Sequence, residues 1–259
     1  MKIENTINGA IFDIDGTLAM MDETKRTFKA LPGAIEALDK FRSAGIPVVA
    51  YTNGTFFPPA HYYPLLADAG LVIEPGFIVL GESGTQVPME EAGFDVVEPA
   101  AGQDPVEAVM IGWTRHFGLP ELEALCEAVW AGAQPFTASD APFFASSKGR
   151  MLGVSSAIAA MIGHVTGQQA VVLGKPSTLG MDMAANLMQL SPSEIVVIGD
   201  DPKLEIAMAR KSGAHTVGVT TGISDAAAFE KIEPNLRAHT VLSTLEDLPI
   251  NQWIANRAA

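Results

Sequence analysis

Residues 9–20 read GAIFDIDGTLAM: an apolar run that ends in two aspartates separated by one isoleucine and followed at once by glycine. The apolar run predicts a buried strand, and alternate residues of a strand share a face. Asp13 and Asp15 can therefore point the same way until the Gly16-Thr17 turn redirects the chain. A calcium loop of the EF-hand kind needs a third acid before its glycine and a helix ahead of it; here a strand comes first and Gly16 follows the second acid directly. Two negative charges at the mouth of a buried strand call for a chemical reason.

Outward from this stretch, short β-branched runs alternate with helical patterns: LPGAIEALDKFRSAG, IPVVAYTNG and PPAHYYPLLADAG follow it. From residue 169 the alternation resumes with QAVVLGKP, STLGMDMAANLMQL, SEIVVIGDD, PKLEIAMARKSG, HTVGVTTG, SDAAAFEKI and HTVLSTLEDL. The pattern predicts an α/β fold, a Rossmann-like doubly wound parallel sheet. Pro32 and Gly45 fit the entry and exit of the first helix, and Ser224 and Gly213 a helix N-cap and a helix end. Between the halves the order of strands and helices is less regular. The expected division is a catalytic core of residues 1–76 and 170–259 with an inserted α/β cap over 77–169. Met181, Met183 and Met188 recur near helical spacing and are read as core packing.

With 259 residues, 48% of them hydrophobic, 18% charged and a formal net charge of -14, the chain is a folded protein with a sizeable core. That charge argues against nucleic acid or an anionic membrane as partner. The apolar runs stop short of the ~20 residues that span a bilayer, and the N-terminus lacks a signal design, so the expectation is a cytoplasmic protein. The single cysteine, Cys126, has no His or Cys at ligand spacing and reads as a buried core thiol. The five histidines show no metal-type spacing either.

The polar residues collect at the carboxyl ends of expected strands: Asp13 and Asp15 after AIF, Thr52 and Asn53 after VVAY, Lys175 after AVVLG, Asp200 and Asp201 after IVVIG. Open α/β sheets build their sites at that edge. Two like charges ~4 Å apart repel by ~4 kcal/mol at an effective dielectric near 20, so several carboxylates in one pocket require a cation. Oxygen ligands with room for water and a substrate phosphate suit Mg²⁺. Asp13 can accept a phosphoryl group as an aspartyl phosphate, splitting one displacement into two. Asp15 can protonate the leaving oxygen and later deprotonate water. The Thr52 hydroxyl, the backbone around Asn53 and the Lys175 ammonium can hold the phosphoryl oxygens.

DIDGT, YTN, GKP and GDD, in that order, resemble the four motifs of the haloacid dehalogenase superfamily, and an insert between the second and third motifs is similar to the cap of its NagD-like phosphatases. The resemblance implies Asp13 as nucleophile and Mg²⁺ ligand, Asp15 as general acid/base and main-chain ligand, and Asp200 as the third ligand. It implies that Thr52, Asn53 and Lys175 bind phosphate, with Asp201 and Glu205 just behind the ligands. Asp201 stands where relatives carry Arg or Asn, Glu205 where they carry Asp, and Ala138 where they tend to carry Asn. The implied substrate is a small phosphorylated metabolite that touches the cap near Asp140, and the implied assembly is a homodimer. Arg115, Lys148 and Arg150 are the cap's candidate cations and Trp113, Phe143 and Phe144 its aromatics, most of them expected at the surface or in the cap's own core. A phosphotransferase using the same aspartyl phosphate, and an inactive phospholigand-binding protein, remain alternatives.

Overall fold

The structure is a computed structural model that describes residues 6–22, 25, 27–53, 59–74, 78–80, 86–114, 116–146 and 149–257. Arg115 and Lys148, named above as candidate cations, lie outside them. The chain opens with strand β1 (Gly9–Asp13), the hairpin β2 (Ala19–Asp22) and β3 (Thr27–Ala30), helix α1 (Ala34–Ser43), β4 (Val48–Thr52), α2 (Pro59–Asp68) and β5 (Ile78–Leu80). All five residues of β1 are buried, which places it in the middle of a sheet covered on both faces. Helix α1 buries Ala34, Ala37, Leu38 and Phe41, the i, i+3, i+4, i+7 stripe of an amphipathic helix. Phe41 meets Phe12 of β1 edge to face with ring centroids 5.8 Å apart. Burying an aromatic side chain of this size contributes about 2–3 kcal/mol.

The middle of the chain holds α3 (Gln86–Glu91), β6 (Ala108–Ile111), α4 (Leu119–Trp130), β7 (Gln134–Thr137), the hairpin β8 (Phe143–Ser146) and β9 (Gly149–Leu152), α5 (Val154–Thr166) and β10 (Val171–Val172). Then come α6 (Leu179–Met188), β11 (Ile195–Gly199), α7 (Glu205–Ser212), β12 (His215–Val219), α8 (Ala226–Glu230), β13 (Thr240–Leu242) and α9 (Ile250–Arg257). Gly213 ends α7 at φ 80°, the left-handed C-cap that the sequence suggests. The cap of α8 is one residue later than expected: the Asp225 carboxylate, not Ser224, accepts from Ala228 N–H at 2.9 Å.

Among the described residues one sheet has six parallel strands in the order β13-β12-β11-β1-β4-β5. From β1 the chain winds outward through β4 and β5, then returns to β11 on the other side and winds away through β12 and β13. That reversal at β1 opens a crevice at the carboxyl ends of β1, β4 and β11, where doubly wound sheets bind ligands. The two faces carry separate apolar clusters. Phe12, Ala50, Val196 and Ile198 pack with α1, α2 and α9; Ile11, Val49, Tyr51 and Val197 pack with α6 and α7.

A second, three-stranded parallel sheet, β10-β7-β6, packs against α4 and α5 around Val109, Cys126, Ile158 and Ile162. Its third strand, Val171–Val172, follows the residue at which the sequence-based division ends the insert. Ile78–Leu80, just inside that division's start, pairs with β4 in the large sheet. Two- and three-residue strands carry no periodicity by which a sequence could assign them to a sheet. Met181 and Met188 are buried as read, whereas Met183 on the same helix is 59% exposed, because the packed face of α6 covers only part of its circumference. No helix among the described residues is long and apolar enough to cross a membrane.

Candidate active site

Asp13 is the last residue of β1, and as an odd-numbered neighbour of Ile11 it faces the layer of α6 and α7. After it the backbone closes a tight turn: the carbonyl of Ile14 accepts from Leu18 N–H and Ala19 N–H, and Gly16 N–H donates to the carbonyl of Ala19 at 2.9 Å. Gly16 adopts φ 97°, and a Cβ there would lie 2.5 Å from Asp200 Oδ2. Gly222 approaches the same carboxylate from the loop after β12, so two glycines leave room for Asp200 at the end of β11. The loops are laced together: Thr221 Oγ1 donates to the Gly16 carbonyl at 2.6 Å, and Ile223 N–H to Asp200 Oδ2 at 2.6 Å.

Lys175 sits opposite, 2% exposed. Its Nζ lies 2.5 Å from Asp13 Oδ1, 3.1 Å from Glu205 Oε2 and 3.4 Å from the Tyr51 carbonyl. Glu205, the first residue of α7, also accepts from Asp201 N–H through Oε1 at 2.7 Å. It thereby joins the ammonium to the loop that follows Asp200. Asp201 turns the other way, its carboxylate accepting from Lys203 N–H at 2.8 Å. Thr52 Oγ1 donates to Asp15 Oδ2 at 3.3 Å.

Asn53 is spent on the backbone of Lys175. Its Oδ1 accepts from Lys175 N–H and its Nδ2 donates to the Lys175 carbonyl, both at 2.9 Å. The same Nδ2 lies 3.1 Å from Ser139 Oγ in the loop after β7. Ser139 Oγ in turn accepts from Ala141 N–H at 3.1 Å.

Electrostatics make the cluster expectant of a cation. Burial pushes the Asp13 carboxyl well above the ordinary range, and Glu205 and Asp15 add to the push against the pull of Lys175. Burial raises Asp15 to about 6, partly offset by Lys175 and by the Thr52 hydrogen bond. Asp200 is raised by burial and then by Glu205 and Asp13, and Asp201 to about 6 by burial and then Glu205. Burial opposes the charge of Lys175, yet Asp13 and Glu205 hold its ammonium above the usual lysine range. Asp13 Oδ2 is buried with no hydrogen-bond partner. Asp13, Asp200 and Glu205 can each bring one carboxylate oxygen within 4.8 Å of the others. An orphaned anionic oxygen inside an all-oxygen set fits a hard divalent ion.

One cleft holds these groups. Its core wall contains Asp13, Asp15, Thr52, Asn53, Lys175, Asp200, Asp201 and Glu205, so eight of the nine residues singled out in the sequence come together. The ninth, Asp140, is exposed and outside the lining, while its neighbours Ser139 and Ala141 belong to it. Trp113 and Phe144 form an aromatic part of the opposite wall, whereas Phe143 is outside the lining. Ser155, at the start of α5, also lines the cleft; nothing in its sequence context marks it.

Comparison with known proteins agrees with this architecture. Residues 10–98 match the family described as haloacid dehalogenase-like hydrolase, and residues 172–248 a second one described as HAD-hydrolase-like. The dihydroxyacetone phosphatase of Corynebacterium glutamicum is 25% identical over 91% of this chain and 88% of its own. Human chronophin is 26% identical over 83% of this chain and 82% of its own. Among solved structures, NagD from E. coli K-12 superposes with a TM-score of 0.81 at 22% identity, over 95% of this chain and 100% of that one. A glycerol phosphate phosphatase from Mycobacterium tuberculosis, solved in complex with magnesium, gives 0.80 at 20% identity over 95% of this chain and 77% of that one.

Proposed function

The chain belongs to the haloacid dehalogenase-like hydrolases, and from that premise we propose that it hydrolyses small phosphomonoesters with Mg²⁺ through a phosphoryl group carried on Asp13. Curated relatives along most of its length are phosphatases by name, and the chain is a phosphoric monoester hydrolase. The observation that carries the mechanism is the asymmetry of Asp13. Lys175 holds Oδ1 at 2.5 Å, while Oδ2 is buried without a partner. The carboxylate is anchored through one oxygen and keeps unspent capacity on the other, as a group that both holds an ion and bonds to phosphorus requires.

In this reading an Asp13 oxygen bonds to phosphorus as the ester P–O bond breaks, and Asp15 gives its proton to the departing alkoxide. Asp15 then takes a proton from water, whose oxygen attacks phosphorus, breaks the Asp13–phosphorus bond and releases inorganic phosphate. Thr52 orients Asp15 and, with Lys175, holds the phosphoryl oxygens. The Asn53 side chain fixes the backbone of Lys175, which leaves the backbone around Asn53 for the phosphoryl group. Asp13 and Asp200 would hold the metal with the main-chain carbonyl of Asp15, and Glu205 would stand beside them holding Lys175. When bound, the ion supplies the positive charge that lets the carboxylates share the site and offsets charge on the phosphoryl oxygens. The insert carrying the three-stranded sheet acts as a cap that excludes water and selects the leaving group.

Phosphate release from p-nitrophenyl phosphate, glycerol phosphate and phosphoglycolate, with Mg²⁺ and with chelator, tests this. Release is expected with the ion only, and Asp13→Asn is expected to drop below detection. Release that survives both the chelator and Asp13→Asn would sink the proposal. Acceptor-dependent turnover without free phosphate would move the assignment to a phosphotransferase.

A further inference from the structure

The core wall of the cleft accounts for the phosphoryl group and leaves the rest of the substrate unassigned. On the opposite wall, the described lining residues include neither lysine nor arginine. Arg150 is exposed and packs on the Phe143 ring, 4.4 Å from its centroid. What that wall does offer is the start of α5, since Gly153, Val154 and Ser155 all line the cleft.

Helix α5 is 13 residues long, its N-cap Gly153 makes no side-chain cap, and its first turn carries no acid. The first N–H groups of a helix have no intrahelical acceptor, and the helix end carries about half a positive charge. A second observation points the same way. Ser155 is only 6% exposed, and its hydroxyl has no hydrogen-bond partner among the described residues although it borders the cleft. Its neighbour Ser156 is already engaged, donating to the Asp140 carbonyl at 2.9 Å. The helix start is also fixed in place. Gly153 N–H donates to the Pro142 carbonyl at 2.9 Å, and the Ala141–Pro142 backbone packs so closely that Gly153 has no room for a Cβ.

We propose that the N-terminus of α5 and the Ser155 hydroxyl form the subsite for a carboxylate on the leaving alcohol, so that the preferred substrates are phosphoesters of short hydroxy acids. This rests on the phosphatase reading above. The N–H groups of the helix start can only donate and the Ser155 hydroxyl can turn to donate as well, which suits an anionic group on the leaving alcohol. Half a charge and a few N–H groups match a carboxylate monoanion, and with neither lysine nor arginine among the described lining residues of that wall a more highly charged second phosphate is less fully neutralised.

The test is the ratio of kcat/KM for 2-phosphoglycolate to that for ethyl phosphate, which lacks only the carboxylate function, measured with Mg²⁺. The ratio cancels any general damage to the chemistry. Wild type is expected to favour the acid by about tenfold, the scale of one helix terminus plus one charge-assisted hydrogen bond. Ser155→Ala should lower that ratio several-fold. Ser155→Asp, which brings its own carboxylate to the same N–H groups, should bring the ratio to one or below without lowering the melting temperature, because an acid suits the first turn of a helix. A wild-type ratio near one, or a ratio unchanged in both variants, overturns the subsite while p-nitrophenyl phosphate turnover keeps the phosphatase reading. If no ester releases phosphate, both readings fall.

Discussion

The two walls of the cleft are built from different materials. The core wall gathers five buried or half-buried acids and one lysine at strand ends, in the loops after them and at the start of α7, each tied down by named hydrogen bonds or ion pairs. The cap wall gathers serine, alanine, glycine, valine and two aromatics, and its polarity lies largely in backbone N–H groups and hydroxyls. Chemistry therefore resides in side-chain charge that the sheet edge positions, and selection in backbone that a helix start presents. Substitutions on the core wall should act on kcat for every ester alike, and substitutions on the cap wall should act on ratios between esters.

The largest effect expected from a residue that need not touch substrate is at Glu205. Its carboxylate contacts Lys175 at 3.1 Å and accepts from Asp201 N–H at 2.7 Å, so Glu205→Gln weakens the hold on the ammonium while keeping an acceptor for the loop. Partners of this kind behind a metal site are worth about 10–100-fold. We expect kcat to fall by that much for all esters, with their ranking unchanged. A change in ranking, measured on the same panel, would break the division between the walls.

Asn53 sits on the seam. Its amide serves both backbone groups of Lys175 and reaches Ser139 across the cleft. Asn53→Ala leaves the Lys175 N–H and carbonyl without those partners, a loss of about 1–3 kcal/mol, so the urea midpoint should drop together with kcat. A side chain whose role was to grip phosphate would instead raise KM and leave the midpoint where it was. Ser139→Ala cuts the link across the cleft and the bond from Ala141 N–H but leaves both bonds to the Lys175 backbone, and should have the smaller effect on both.

This contrast in materials also explains what the sequence made legible. Asp13, Asp15, Thr52, Lys175 and Asp200 stand out because a polar residue directly after a buried apolar strand has few reasons to be there. For Asp13, Asp15, Thr52 and Asp200 the position at one edge follows from the parallel alternation alone, whereas Lys175 follows β10 of the smaller sheet. The hold of Glu205 on Lys175 depends on the angle at which α7 leaves β11, which no local pattern encodes. Asn53 looked like a phosphate ligand because it follows Thr52; its use as a clip needs Lys175, 122 residues away, to arrive beside it. Ser155 was invisible, since a serine near the start of a helix is ordinary and only its place at a cleft, mostly buried and with its hydroxyl unspent, makes it unusual. Val171–Val172 read as a return to the main sheet, and a two-residue strand has nothing in it to say that β7 is its partner.

The smallest expected effect lies away from both walls, and it decides whether a pH profile can report on the core wall at all. His239, just ahead of β13, accepts from Thr216 N–H through Nδ1 at 3.1 Å, and the Arg210 guanidinium lies against its Nε2. Burial first, and then Arg210 and His215, lower it to about 4. A base whose folded pKa lies below its unfolded value, near 6.5, contributes stability that is present above 6.5 and fades as pH falls toward 4. Without metal, Asp15 and Asp201, raised to about 6, have the opposite sign: they favour the folded state at low pH and lose that contribution as pH rises from about 4 to 6. Activity and stability thus titrate in one window for different reasons. His239→Gln separates them. The urea midpoint of wild type should exceed that of the variant at pH 7, and the gap should narrow at pH 5, because only wild type has a depressed histidine to protonate. A gap that stays constant from pH 7 to 5 would mean that His239 is not depressed, and the acid limb of an activity profile could then be ascribed to the core wall without correction for it.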